Sequence, residues 1–320
     1  MDVNADRLSI HRGDWFSNHN VEKLEKTLSR GHCVAFNSVQ SAVQACLELL
    51  GSRVAELPVV MPVTAGPDEL AAVLRAGGSP LLVDISEKTL QLDPEKLKEI
   101  LKVLEEEELV PVVLVDKIDG TVDQDILDQI QNLPSIGVYR GELNTGMTQE
   151  YFSCAFNVVD TTTIAGSGAI IFHSYPTQVD HLRLIRSGIM GMNANMPEGV
   201  AGRILLLLDN QIDLESYEEI KKKYLDSGLE ILPPSKYPAT IWVKVKDAKL
   251  TSVQLNSYGI EAPVALYPLH DLEEVKKRFQ QDPDYPAADK VKNQYICVPT
   301  HLMARDKTDK IIEIIGEINE

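Results

Sequence analysis

Short runs of consecutive apolar residues, each separated from the next by a stretch with helical spacing, constrain this chain most. PVVMP at residues 58–62, LLVD at 81–84, VPVVLVD at 110–116 and AIIF at 169–172 are apolar without polar alternation. Strands that read this way are buried on both faces, as in a mostly parallel sheet covered by helices on each side. The intervening segments carry helix signals. Residues 21–28 and 41–50 have apolar positions at helical spacing, and Gly51 ends the second. Gly66-Pro67-Asp68 and Asp93-Pro94 start helices with proline in the first turn, and Gly77-Gly78 closes the first of these. Residues 34–36 and 136–139 are further strands, 123–133 is a helix, and Thr177 with Asp180 resembles a capping box.

Near Asp213 the character changes. Residues 217–224 form a charged helix, and the lysine run 221–223 reads as its solvated face. Residues 233–238 (PPSKYP) make a turn, and IWVKVKD alternates like a strand with one wet face. Helices at 271–280 and 307–318 follow. The expected architecture is α/β, with a large, mostly parallel sheet domain over residues 1–215 and a small C-terminal α+β domain over 216–320.

The net charge of −17 argues against a broad basic face for nucleic acid or anionic membrane. The four cysteines, Cys33, Cys46, Cys154 and Cys297, form no C-x-x-C pair, and no histidine spacing suits a metal, so no metal is expected. Cys46 and Cys297 read as core. The first fifteen residues contain no signal-peptide core and LLLL at 205–208 is too short to span a bilayer, so a cytoplasmic location is the expectation.

The order of segments resembles the DegT/DnrJ/EryC1/StrS sugar aminotransferases. PVVMPVTAGPDELAAVLRAGGSPLLVDIS, VPVVLVDKIDGTVDQDIL, GMNANMPEGVAGRILLLLDN and APVALYPLHDLEEVKK are similar to family segments in the same order, from about Gly13 to Ile318. The resemblance implies the fold of the type I enzymes that use pyridoxal phosphate (PLP), and a dimer. It also implies four groups at the cofactor: an imine-forming lysine, an aspartate on the pyridine nitrogen, a stacked aromatic ring, and a Gly-Thr turn at a helix N-terminus for the phosphate.

This sequence departs from that pattern at each position. The resemblance puts the lysine at Asp160, and the chain has no lysine between Lys117 and Lys221. VYRGELN places Gly141 at the aspartate. Glu142 beside it faces the other way on a strand, and Asn144 stands at the family glutamine. NSVQSAV puts Val39 and Gln40 at the phosphate turn after Ser38, and the β-branched Val39 disfavours close approach of backbone to phosphate. The stacking position falls at Ala65-Gly66. Asn193 matches a family asparagine, while Asn195 replaces an arginine.

Asp160 with Thr161, Thr162 and Thr163 is a polar patch, read either as a hydrogen-bonded loop or as a site for a cation or a proton. Gly166-Ser167-Gly168 reads as a tight turn before a strand. His270 in YPLH either reaches a nucleotide sugar or starts a surface helix, whereas His173 and His181 read as surface residues. Met190, Met192 and Met196 read as packing. The resemblance therefore implies an aminotransferase homologue without PLP chemistry. It would bind a nucleotide sugar, with Ser38, Gln40, Glu142, Asn144, Asp160, Asn193 and His270 as candidates. Alternatively it would serve as a non-catalytic subunit, as a homodimer or paired with an active paralogue. Two further readings stand: an enzyme without PLP that uses Asp160 and Glu142 as acid and base, and an active PLP enzyme with a lysine such as Lys117.

Overall fold

The computed structural model describes residues 19–29, 32–51, 57–117, 122–140, 154–161, 166–188, 192–209, 214–232, 240–279, 284–299 and 307–319. The apolar runs build a seven-stranded sheet from β1 (Cys33–Phe36), β2 (Pro58–Pro62), β3 (Ser79–Val83), β4 (Val112–Lys117), β5 (Ser135–Tyr139), β6 (Phe156–Asp160) and β7 (Ala169–Phe172), in the order β1-β7-β6-β5-β4-β2-β3. Strands β2 to β6 pair in parallel, and β7 runs antiparallel between β6 and β1. Thus β1 points the same way as β2 to β6, and the C-terminal ends of all six open on one edge. Phe36 and Asp160 both lie opposite Ala169 there.

Alternation along each strand sorts side chains to two faces. Val34, Phe36, Leu114, Val138 and Val158 pack under α2 (Val39–Leu49), α3 (Pro67–Arg75) and α6 (Pro176–Arg186). On the other face, Cys33, Ala35, Tyr139 and Val159 meet α1 (His19–Ser29) and α7 (Glu198–Asp209). Val60, Val113 and Val115 meet α4 (Pro94–Glu106) and α5 (Gln124–Ile130). Asp93 and Asp123 cap α4 and α5 by accepting first-turn N–H bonds. Buried Glu25 pairs with Arg186 and accepts from the Ala35 N–H, tying α1, α6 and β1 together.

The later residues form a separate antiparallel sheet, β10-β9-β8, from β8 (Ile231–Leu232), β9 (Thr240–Lys244) and β10 (Tyr295–Pro299). Its core is closed by α8 (Leu214–Asp226), α9 (Ala248–Ser257) and α12 (Thr308–Asn319). A second apolar cluster joins this unit to the end of the large sheet: Val63, Ile85 and Leu90 meet Leu266, Tyr285, Ala288 and Val291. Two polar links reinforce the joint. Leu269 donates its N–H to the Val63 carbonyl at 2.7 Å. Asp84, at the end of β3, accepts from the Ala287 and Ala288 N–H groups in the first turn of α11 (Pro286–Gln294) and from Lys96 Nζ.

Several local expectations need correction. β6, α9 and α11 carry no signal that sequence reading picked out, because β6 begins in a polar context and both helices have mixed faces. The expected helix at 271–280 is a 3₁₀ turn at Leu269–Asp271 followed by α10 (Glu273–Phe279). Thr177 does not cap α6: the N-cap is Tyr175, without a side-chain bond, and Pro176 follows it in the first turn. His173 is buried rather than a surface residue. It packs on Phe156, accepts from the Tyr175 N–H through Nδ1, and burial lowers its pKa. Cys46 is fully buried, whereas Cys297 is only partly so. No helix among the described residues is long and apolar enough to cross a membrane.

Candidate functional site at the sheet edge

Ligands of open α/β sheets bind beyond the carboxyl ends of the strands. Four charged side chains meet there. Asp116 is the penultimate residue of β4, Arg140 directly follows β5, and Asp160 ends β6. All three alternate with Leu114, Val138 and Val158, so they lie on the face that α2 and α3 cover. Glu69 comes from the first turn of α3. The Arg140 guanidinium bridges the group: Nη1 donates to Asp116 Oδ1 at 2.5 Å and Nη2 donates to Glu69 Oε1. Glu69 and Asp116 side chains are only 2% and 6% exposed, against 31% for Arg140.

Burial sets the electrostatics of this cluster. Desolvation pushes the carboxyls of Glu69 and Asp116 above their ordinary pKa values, and the Arg140 charge only partly offsets it. Burial alone would lower the Arg140 pKa, but Asp116, Glu69 and Asp160 together raise it. Asp160 acts on all three partners through its charge. Two carboxyl groups thus bond to one guanidinium, and a third, Asp160, acts on it through its charge.

Gly66 makes the close packing possible. A Cβ built there would run into Glu69 Oε2 and lie 3.0 Å from Arg140 Nη2. The guanidinium and its partner carboxylate therefore occupy the space into which a side chain at position 66 would project. Gly168 closes the neighbouring turn at φ +104°, where a Cβ would lie 2.8 Å from both Thr161 Oγ1 and Met196 Cε. Thr161 is fully buried and donates its hydroxyl to the Ser167 carbonyl, folding the 166–168 turn back onto β6.

The N-terminus of α2 opens on the same edge. Ser38 caps it by accepting from the Ser41 N–H, and the Ser41 hydroxyl donates to Asn37 Oδ1 at 2.8 Å. Val39 is in the core, so its side chain packs beneath the helix and does not cover the mouth. Gln40, with its amide oxygen turned to the guanidinium, accepts from Arg75 Nε and Nη1, both at 2.9 Å. It therefore links α2 to α3.

Of the expected site residues, Ser38 and Asp160 share this edge. Gln40 sits there but serves Arg75. Asn193 is exposed and accepts from Asn195 Nδ2 at 3.2 Å. His270 stands at the junction with the small sheet, stacked on Tyr285 and 3.1 Å from Asp289 Oδ1, and not in the charged cluster. Gly141, Glu142 and Asn144 lie outside the described residues, as do Thr162 and Thr163. Sequence reading missed Glu69, Asp116 and Arg140. A signal existed: a charge at the C-terminal end of an otherwise apolar buried strand, as in VPVVLVD, is placed at a parallel sheet's binding edge. Among the described residues, no group of three or more His, Cys, Asp or Glu side chains is arranged to hold a metal ion.

Comparison with known proteins agrees with the resemblance. Residues 4–116 match the DegT/DnrJ/EryC1/StrS aminotransferase family. No curated protein sequence matches the chain. Among solved structures, a DegT DnrJ EryC1 StrS aminotransferase from Brucella abortus superposes with TM-score 0.76 at 17% identity, covering 94% of this chain and 89% of the other. PseC from Helicobacter pylori, an aminotransferase involved in pseudoaminic acid biosynthesis, gives 0.77 at 14% identity, covering 94% and 90%. DesI, crystallised in the presence of its TDP-sugar product, gives 0.76 at 14%, covering 92% and 83%.

Proposed function

We propose that this chain, a relative of the DegT/DnrJ/EryC1/StrS aminotransferases by sequence over residues 4–116 and by fold over nearly its whole length, has left imine chemistry behind and serves as a nucleotide-sugar-binding or subunit protein. One observation carries this reading. The position the resemblance assigns to the imine-forming lysine is Asp160, and no lysine occurs anywhere from 118 to 220. A carboxylate forms no Schiff base, and without a lysine the proton transfers of transamination lose their base.

PLP, the cofactor the family implies, does not fit the residues at this edge. Gly66, at the stacking position, supports no ring and is itself packed by Glu69 and Arg140. The α2 N-terminus, capped by Ser38, is the part of the edge that favours an anion. A nucleotide sugar suits it through the diphosphate, and the TDP-sugar product in whose presence DesI was crystallised is of that class. The acid–base alternative needs Asp160 with Glu142; Asp160 lies at this edge, and Glu142 lies outside the described residues.

Calorimetric titration with a TDP-sugar and a UDP-sugar, alongside light scattering for mass, tests the proposal. The expected result is binding of a nucleotide sugar, or a stable dimer, with no amino transfer from glutamate. Turnover of a keto sugar with PLP and glutamate would overturn it.

A further inference from the structure

We propose that Arg140 is the resident occupant of this edge: its guanidinium, held between Glu69 and Asp116 over Gly66, fills the space in which a flat cofactor ring would have to lie. The inference rests on the reading that no imine forms, and adds what excludes the ring even without one. Three observations support it. Nη2 lies 3.0 Å from where a Cβ of residue 66 would sit, so the group takes up the space a side chain would enter at the stacking position. The guanidinium is pinned from two sides, by a strand carboxylate and a helix carboxylate, each nearly inaccessible to solvent. Arg140 issues from the end of β5 between Asp116 on β4 and Asp160 on β6, which is the middle of the edge.

A planar guanidinium in a fork of two carboxylates is a strong, directional arrangement. A ligand that displaced it would strand two buried carboxylates, so a ring held only by stacking and one phosphate does not compete. The same cluster joins β4, the end of β5 and α3.

Pyridoxamine phosphate is the probe, because it needs no lysine to bind. Its affinity is measured by fluorescence titration for the native chain and for a variant carrying Arg140→Ala, Glu69→Gln and Asp116→Asn, which empties the space and neutralises both hydrogen-bonded partners. The variant is expected to bind at least about tenfold more tightly, about 1.4 kcal/mol. Equal affinity, whether both proteins bind or neither does, overturns the proposal. If circular dichroism shows that the variant fails to fold, Arg140→Gln in the same background replaces it under the same criterion. A lysine-fixed PLP adduct in the native chain would instead sink the underlying reading, leaving this comparison to judge Arg140 by itself.

Discussion

Replacing Arg140 by alanine is expected to destabilise the fold by about 3 kcal/mol or more, the usual effect of leaving buried charges without their partner. Glu69 and Asp116 lose the cation that bonds to both. The loss should depend on pH. Both carboxyls already have pKa values above the ordinary range because burial disfavours their charged forms, and the Arg140 charge is what holds them down. Removing it raises them further. A carboxyl whose folded pKa exceeds its unfolded value contributes stability that is present below the unfolded pKa and lost as pH rises through the folded one. The difference between native and Arg140→Ala midpoints should therefore be largest at neutral pH and shrink as Glu69 and Asp116 take up protons. Urea denaturation from about pH 4, the ordinary carboxyl range, up to neutral pH measures it. A loss independent of pH would refute this account of the cluster.

Asp84→Ala is expected to be nearly as damaging, by about 3 kcal/mol, for a different reason. The Asp84 side chain is buried and accepts four bonds: from Ile85 N at 2.9 Å, Ala287 N at 3.1 Å, Ala288 N at 3.0 Å and Lys96 Nζ at 3.1 Å. Two of those donors are free N–H groups at the start of α11, where a carboxylate also complements the helix dipole. Alanine would leave the buried Ala288 N–H and the partly buried Ala287 N–H without this partner, at about 1–3 kcal/mol for a buried donor. Because Asp84 belongs to the large sheet and α11 to the small one, the loss should appear as uncoupling. Hydrogen exchange in the first turn of α11 should quicken more than exchange in β4 or β5. Asp84→Asn, which keeps one accepting oxygen, should lose less. Unchanged exchange in α11 would show that Asp84 does not join the two units.

Much of the fold is legible in the sequence because each large-sheet strand but β6 is an apolar run and most helices carry an end signal, such as Asp93-Pro94 for α4. β6 is hidden because FNVVD opens beside a polar stretch and ends in Asp160. The candidate site was read less completely, and the cause is physical. Resemblance directs attention to the positions where a cofactor's partners are missing, namely Asp160, Gly141 and Val39. What fills the edge instead comes from Glu69, Asp116 and Arg140, spread over 72 positions and brought together only by strand order and register. The Val39 side chain is turned into the core by the helix that follows Ser38.

The central claim is that this chain forms no imine with PLP. The direct test is to mix the purified chain with PLP, reduce with borohydride and map any modified lysine by mass spectrometry. The account predicts a spectrum of free PLP only and no lysine modified in stoichiometric amount. A single lysine fixed to PLP at one equivalent per chain, Lys117 at the end of β4 included, would contradict it.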